Sequence, residues 1–359
     1  MSLHFHTLKV KEVKKETPEC VSIAFEIPEE LKEQFIYKHG QTLTVRALIN
    51  GEEIRRSYSV CSSPLDNELR VAVKKVEQGI FSQYANEQLK KGDTLDAMPP
   101  TGRFFTELDE THKKSYVAFA AGSGITPILS IIKTTLLTEP GSQFTLVYGN
   151  RNRHSIIFKE ELEALKNRFI NRFRIIHILS REKMDAPINF GRIDQEKINH
   201  LLDKVINVAS SDEFFLCGPE EMIFTLKDSL AERGVDRKKV HFELFTSANA
   251  RKQTFAIAKT YSSSEIKSKV TIKLDGSSFD FDLGFEGESI LDAALKQGAD
   301  LPFACKGGVC STCRAKLLEG EVDMDVNYAL EPEEVEHGFI LTCQSHPRTE
   351  KVVIDFDVK

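Results

Sequence analysis

Near the C-terminus of this 359-residue chain, three cysteines fall within nine residues and a fourth follows. The spacing is Cys305-x4-Cys310-x2-Cys313, then 29 residues to Cys343. Four thiols so arranged leave few options: disulfides, a bound metal centre, or burial as small apolar groups. The N-terminus, MSLHFHTLKVKEVKKE, lacks an apolar export core, and no run is long enough to cross a bilayer. The sequence therefore predicts a cytoplasmic protein, where stable disulfides are rare. Seven cysteines is also an odd number to pair, so ligation is the better reading of the four.

The spacing is that of plant-type 2Fe–2S proteins, in which four thiolates hold two irons. Zinc ribbons favour paired C-x2-C knuckles, and only one such pair stands here. Zinc and four unrelated buried cysteines remain the alternatives. Gly307 and Gly308 let the loop bend around inorganic sulfide, and Ser311 and Thr312 add backbone N–H donors that tune potential.

The rest of the chain divides by texture. Residues 1–110 alternate apolar and polar positions, as in TLTVRALI and LRVAVKKVE, with turn signals at Asn50-Gly51 and Asp66-Asn67. That pattern predicts an antiparallel β-barrel, with a short helix in SQYANEQL. Over residues 111–245, apolar strands such as SYVAFAAG, FTLVYGN, FRIIHILS and EFFLCG alternate with helical stretches. This predicts an α/β domain built on a parallel sheet. Residues 246–265 have no period and end in a serine run, which reads as a linker on which the last module could move. Residues 266–359 predict a small α+β unit: a hairpin turning on Asp275-Gly276, a helix in SILDAALKQG, and a closing strand, KVVIDFDV.

Four motifs then narrow the function. RRSYSVCSSP, residues 55–64, lies in the barrel; VEQGIFSQYANEQL carries Gly79, Ile80, Phe81 and Ser82 into the short helix. AAGSGITPILS, residues 120–130, runs from a buried strand through glycines into a helix, and LCGPEEM, residues 216–222, follows a later strand. The set resembles the ferredoxin–NADP reductase superfamily, and with the C-terminal cysteines it resembles the reductase components of multicomponent oxygenases over nearly the whole chain.

The resemblance implies a flavin barrel, a nicotinamide domain and a β-grasp ferredoxin domain. It implies Arg56 on a flavin phosphate, Tyr58 against the isoalloxazine, and Ser59 near the hydride-accepting nitrogen, with Ser57 and Lys75 also in the cofactor site. Gly79, Phe81 and Ser82 would open a helix N-terminus for the pyrophosphate, which favours FAD over FMN. Gly122, Gly124, Thr126 and Pro127 would form the nicotinamide-nucleotide loop, with proline where the usual dinucleotide fingerprint has glycine. Cys217, Gly218 and Pro219 would sit beside the nicotinamide, Cys217 as a soft packing surface rather than a nucleophile. Glu243, and with it Phe245 unless that is only a core residue, would reach the flavin edge, completing a catalytic set of Ser59, Cys217 and Glu243. Ser180 and Arg181, assisted by Arg151, suit a 2′-phosphate, so NADPH is favoured over NADH. Cys20 and Cys61 read as core residues.

Charge supports a protein partner. Residues 266–359 carry 10 Lys and Arg against 18 Asp and Glu, a net of −8, while the remainder carries 38 against 36. An acidic module on a neutral body argues against nucleic acid. It suits a basic patch on a protein electron acceptor, a di-iron oxygenase by the resemblance, although a merely solvated acidic surface would look the same. The function expected is electron transfer from NAD(P)H through flavin and cluster to that oxygenase. The alternatives are another acceptor, such as a ring-hydroxylating dioxygenase, a desaturase or a soluble carrier, and a redox sensor without turnover.

Overall fold

A computed structural model describes residues 4–245 and 267–358. The linker predicted over 246–265 lies outside the described residues. Residues Phe5–Phe245 pack as one compact unit, and the C-terminal elements form another.

The first unit opens with strands β1 (His6–Thr17), β2 (Cys20–Glu26), β3 (Thr42–Ile49), β4 (Glu52–Ser59) and β5 (Leu69–Lys74). Helix α1 (Ile80–Glu87) and β6 (Thr94–Ala97) follow. The antiparallel order is β4-β3-β6-β1-β2-β5. A bridge between Val60 and Val71 joins the two outer strands and closes the sheet into a barrel. Alternating side chains such as Leu8, Val10, Ile23, Leu43, Val45 and Val73 fill it. The β3–β4 hairpin turns on Asn50 and Gly51, whose φ angles of 52° and 82° are those of a two-residue hairpin loop matched to strand twist.

The second half of this unit runs β7 (Ser115–Ala121), α2 (Ile125–Thr138), β8 (Gln143–Asn150), α3 (Lys159–Arg168) and β9 (Phe173–Leu179). It continues with α4 (Gln195–Lys204), β10 (Glu213–Gly218), α5 (Glu220–Glu232) and β11 (Val240–Leu244). All five strands are parallel, in the order β11-β10-β7-β8-β9. Tyr116 to Ala120 are buried without a break, as a strand covered on both faces requires. The chain order reverses between β7 and β10, so their connections diverge and leave a cleft at the carboxyl ends of these two strands.

A polar seam ties the barrel to α2. Ser130 Oγ donates to the Ser62 carbonyl at 2.6 Å, Ser63 and Thr134 share a hydroxyl hydrogen bond at 2.9 Å, and Lys133 pairs with Asp66 at 2.9 Å. These bonds fasten the loop after β4 to α2.

The C-terminal unit contains β12 (Lys267–Leu274), β13 (Ser277–Gly284), α6 (Ile290–Lys296) and β14 (Arg314–Glu319). The short elements β15 (Val322–Met324), α7 (Pro332–Glu336), β16 (Phe339–Leu341) and β17 (Ser345–Pro347) precede β18 (Lys351–Asp355). Its mixed sheet, β13-β12-β18-β14-β16, packs on α6 through Val270, Ile272, Ile290, Ala294, Leu341 and Ile354, the α+β arrangement of a β-grasp. The hairpin turns on Asp275 and Gly276, at φ 50° and 73°. The three-residue strands are too short to carry a period, so the sequence did not announce them. Among the described residues, no helix is long and apolar enough to cross a membrane.

Candidate functional site

The barrel offers a cradle for an anion. Helix α1 begins after Gly79, which supplies no side-chain cap, and its first turn has no acidic residue. Its first N–H groups therefore have no partner within the helix and face no competing carboxylate. Ser82 holds the entry loop closed: its hydroxyl donates to the Gly79 carbonyl at 3.0 Å and accepts from Val76 N at 3.1 Å. A Cβ on Gly79 would lie 2.5 Å from that hydroxyl oxygen.

On β4 the two-residue period sends Arg56 and Tyr58 to one face. Arg56 is exposed and gives one N–H to the Arg55 carbonyl at 2.7 Å, leaving the rest of its fork for a phosphate. Tyr58 packs on Phe81 of α1 with ring centroids 5.5 Å apart, and burial pushes its phenol pKa up. Ser57 shares a hydrogen bond with Thr44 at 3.1 Å on the opposite face. An uncapped helix end, an exposed guanidinium with donors to spare and a flat aromatic surface fit a flavin dinucleotide.

At the topological switch, the turn Gly122–Gly124 feeds α2, whose first turn likewise has no acidic residue and no side-chain cap. Gly122 is left-handed at φ 55°, and the Tyr148 hydroxyl donates to its carbonyl at 3.0 Å. Gly124 is required for space: a Cβ there would lie 2.1 Å from the Cys217 carbonyl oxygen and 2.9 Å from Gly218 N. Thr126 Oγ1 donates to Ser123 O at 3.1 Å, and Pro127 is buried in the helix's first turn. Pro219 caps α5, which unlike α2 opens with Glu220 and Glu221, so of the two helix starts that of α2 suits an anion better.

Lys75 and its neighbour Lys74 part company here. Lys75 is exposed and paired with Glu87 on α1. Lys74 points the other way, its Nζ 3.7 Å from where a Cβ on Gly122 would stand. Adjacent strand residues face opposite sides, and sequence alone does not say which of two lysines looks into the cleft. Farther along, Arg151 and Ser180–Arg181 follow the ends of β8 and β9, linked by Arg181 N donating to Arg151 O at 2.8 Å. Arg151 also lies 3.9 Å from Glu19.

Where β4 meets the end of the parallel sheet, Ser59 Oγ donates to Glu243 Oε2 at 2.8 Å across 184 residues of sequence. Glu243 stands opposite Cys217 in the β10–β11 register. Burial raises the Glu243 carboxyl to about 7, against the opposing pull of the Ser59 hydrogen bond. Cys217 is fully buried, and burial, then the nearby Glu243 charge, push its thiol pKa well up. It is a protonated packing surface. The three side chains proposed for the reacting edge thus lie together. Phe245 is about half exposed at the end of the described segment.

In the C-terminal unit, Cys305 lies within hydrogen-bonding reach of Cys310 and Cys343, and Cys343 also of Cys313. Among the described residues no three His, Cys, Asp or Glu side chains converge as on a single ion. The thiols form a continuous run of neighbours, Cys310 to Cys305 to Cys343 to Cys313, four sulfurs of the kind a two-iron cluster takes. Their crowding splits their titration: neighbouring thiols lower the pKa of Cys305 and raise those of Cys310 and Cys343. Gly307 N donates to Cys305 Sγ at 3.3 Å. The left-handed positions are Lys306 (φ 49°) and Gly308 (φ 71°) rather than the two glycines together. A Cβ on Gly308 would lie 2.8 Å from Val326 O. Thr312 Oγ1, buried without a well-aligned partner, lies within reach of Cys310. The donor set, the glycine-made space and this orphaned hydroxyl fit a 2Fe–2S cluster.

Comparison with known proteins agrees in every module. Family models match residues 7–106 as an oxidoreductase FAD-binding domain, 119–228 as an oxidoreductase NAD-binding domain, and 272–348 as a 2Fe–2S iron–sulfur cluster binding domain. The chain is 45% identical over 355 residues to a subunit of 1,2-phenylacetyl-CoA epoxidase from Escherichia coli K12, covering 99% of this chain and 98% of that one. It is 33% identical to the ferredoxin reductase component of 3-ketosteroid-9-alpha-monooxygenase from Rhodococcus rhodochrous, covering 97% and 96%. Among solved structures, phthalate dioxygenase reductase shares the fold, with a TM-score of 0.58 at 24% identity and 98% coverage of each chain. The chain belongs to the oxygenase reductases in which an FAD-binding barrel, an NAD-binding domain and a C-terminal plant-type 2Fe–2S domain form one oxidoreductase.

Proposed function

We propose that this reductase takes hydride from NADPH and supplies electrons to the di-iron oxygenase component of a phenylacetyl-CoA epoxidase, in the cytoplasm. The observation carrying this reading is the 45% identity to the phenylacetyl-CoA epoxidase subunit, sustained over essentially both full lengths. When bound, the FAD accepts a hydride and the 2Fe–2S cluster relays single electrons. The chain's own residues prepare that exchange. Arg56 and the α1 N-terminus hold the flavin phosphates, Tyr58 and Phe81 give it an apolar wall, and Ser59 orients its ring edge. The α2 N-terminus and Lys74 receive the nicotinamide dinucleotide, while Gly124 keeps the Cys217 strand close enough to shape the cleft floor. Glu243 receives the Ser59 proton bond and can hold a proton near neutrality at the reacting edge.

The preference for NADPH rests on the far end of that cleft. Arg181 is exposed, and among the described residues its guanidinium has no protein acceptor. Glu182, the neighbouring carboxylate that could serve ribose hydroxyls, is instead held by Arg153 through its backbone N–H and its side chain, both at 2.8 Å. A free arginine beside an occupied carboxylate favours a 2′-phosphate.

Reconstitution with purified oxygenase components tests the acceptor. The reading predicts NADPH-dependent consumption of phenylacetyl-CoA with the epoxidase's oxygenase. Faster turnover with a ketosteroid oxygenase would favour the second reading, which the 33% identity to that system's reductase supports. A flavin that NAD(P)H does not bleach would favour a sensor.

A further inference from the structure

We infer that Gln344 is a positioning residue for the iron–sulfur cluster: its side-chain amide clamps the two ligand segments together and donates toward the Cys343 thiolate, setting the cluster's reduction potential. Gln344 follows the fourth cysteine and is buried, 7% exposed. Its Nε2 lies 3.1 Å from the Lys306 carbonyl oxygen, 2.9 Å from the Cys343 carbonyl oxygen and 3.6 Å from Cys343 Sγ. All three are acceptors when the thiol is a thiolate, so the amide nitrogen, which carries two hydrogens, is the end that must face them. One carboxamide therefore spans the loop holding Cys305 and Cys310 and the segment holding Cys343.

The fit is tight on the other side as well. A Cβ on Gly308 would lie 3.2 Å from Gln344 Cγ. The backbone is anchored too, with Gln344 N donating to Leu341 O and Gln344 O accepting from Asp325 N, both at 2.9 Å. A side chain so enclosed keeps its dipole aimed at the sulfur rather than averaging over solvent orientations. The cluster gains one negative charge on reduction, and some of it falls on the thiolate sulfurs. A donor pointed at Cys343 Sγ thus stabilises the reduced form more than the oxidised one and raises the potential. A short side chain at residue 344 would lose both the donor and the packing beside Gly308, whereas an isosteric apolar chain keeps the packing and removes the donor.

The test compares Gln344→Met and Gln344→Glu with the parent in the full-length holoprotein, by redox titration followed through the paramagnetic signal of the reduced cluster. Gln344→Met is expected to retain iron and sulfide and to shift the midpoint to more negative potential. The expected loss is about tenfold in the equilibrium constant for reducing the cluster, which is about 59 mV for one electron. Gln344→Glu, which places an acceptor against the sulfur, should shift it further the same way. Unchanged midpoints and unchanged g values in iron-loaded variants would overturn the inference, because a merely structural glutamine would alter stability and not potential. Should the variants fail to load, the parent decides: made with glutamine labelled with nitrogen-15 at the side-chain amide, its reduced cluster should show a weak coupling to that nucleus in pulsed paramagnetic resonance. Absence of the coupling would overturn the inference. The inference rests on the cluster occupying these four cysteines, and the two fail differently: a parent chain that holds no iron removes the cluster, while an iron-loaded variant with the parent's potential removes only the role of Gln344.

Discussion

Glu243 shows how a single side chain sets a pH response. Its carboxyl is raised to about 7 by burial, so it is protonated below neutrality and ionised above. The sign for stability follows: a raised carboxyl pKa favours folding below the unfolded value and loses that contribution as pH climbs through 7. For catalysis, flavin reduction by NADPH should show a pH step near 7 that is absent in Glu243→Gln, measured by stopped-flow bleaching. A step that persists in the variant would assign it elsewhere. Arg181→Ala is expected to raise the KM for NADPH about tenfold or more, the scale of losing one charge-assisted contact, and to leave that for NADH nearly unchanged. Equal effects on both would remove Arg181 from the 2′-phosphate. At this scale the sequence singles out Arg56, Ser59 and the four cysteines because residue type alone suggests their chemistry. It named Lys75 with nothing to separate it from Lys74, whose Nζ is the one near Gly122, and it gave no sign of the Ser59–Glu243 bond, because a contact across 184 residues leaves no local signature.

Elements were legible in proportion to their length and period. β7 with its glycine turn and α2 could be read from an apolar run followed by 3.6-residue spacing. The strands β15, β16 and β17 could not, since three residues hold no period. Also invisible was the network at the lower end of the parallel sheet, where Glu139 is fully buried at the end of α2. It accepts from the Ser142 hydroxyl at 2.6 Å and the Tyr116 hydroxyl at 2.9 Å, and pairs with His112 Nδ1 at 2.8 Å. Burial pushes this carboxyl up, but the donors more than offset it and leave its pKa below the ordinary value. A depressed carboxyl pKa stabilises the fold above the unfolded value, a contribution lost as pH falls through the folded one. Glu139→Ala strands these donors in the core, and denaturant unfolding should show a loss of about 3 kcal/mol. A change within about 0.5 kcal/mol would show the network to be dispensable.

For the whole molecule, the separate cofactor modules predict separable activities. Cys310→Ser should lose cluster absorbance and transfer to the oxygenase, yet keep NADPH oxidation by ferricyanide, because the FAD-binding and NAD-binding domains, residues 7–106 and 119–228, both precede the cluster domain. Joint loss of both activities would mean that the modules depend on one another to fold. The uneven charge is visible in the sequence, and an acidic C-terminal module would suit a basic face on the acceptor. On this reading a two-iron centre sits on Cys305, Cys310, Cys313 and Cys343 and is fed from the nicotinamide site. Metal and sulfide analysis with paramagnetic resonance of the NADPH-reduced holoprotein tests it most directly. Two irons and two sulfides per chain with a rhombic signal are predicted; zinc in their place, or no signal after reduction, would contradict it.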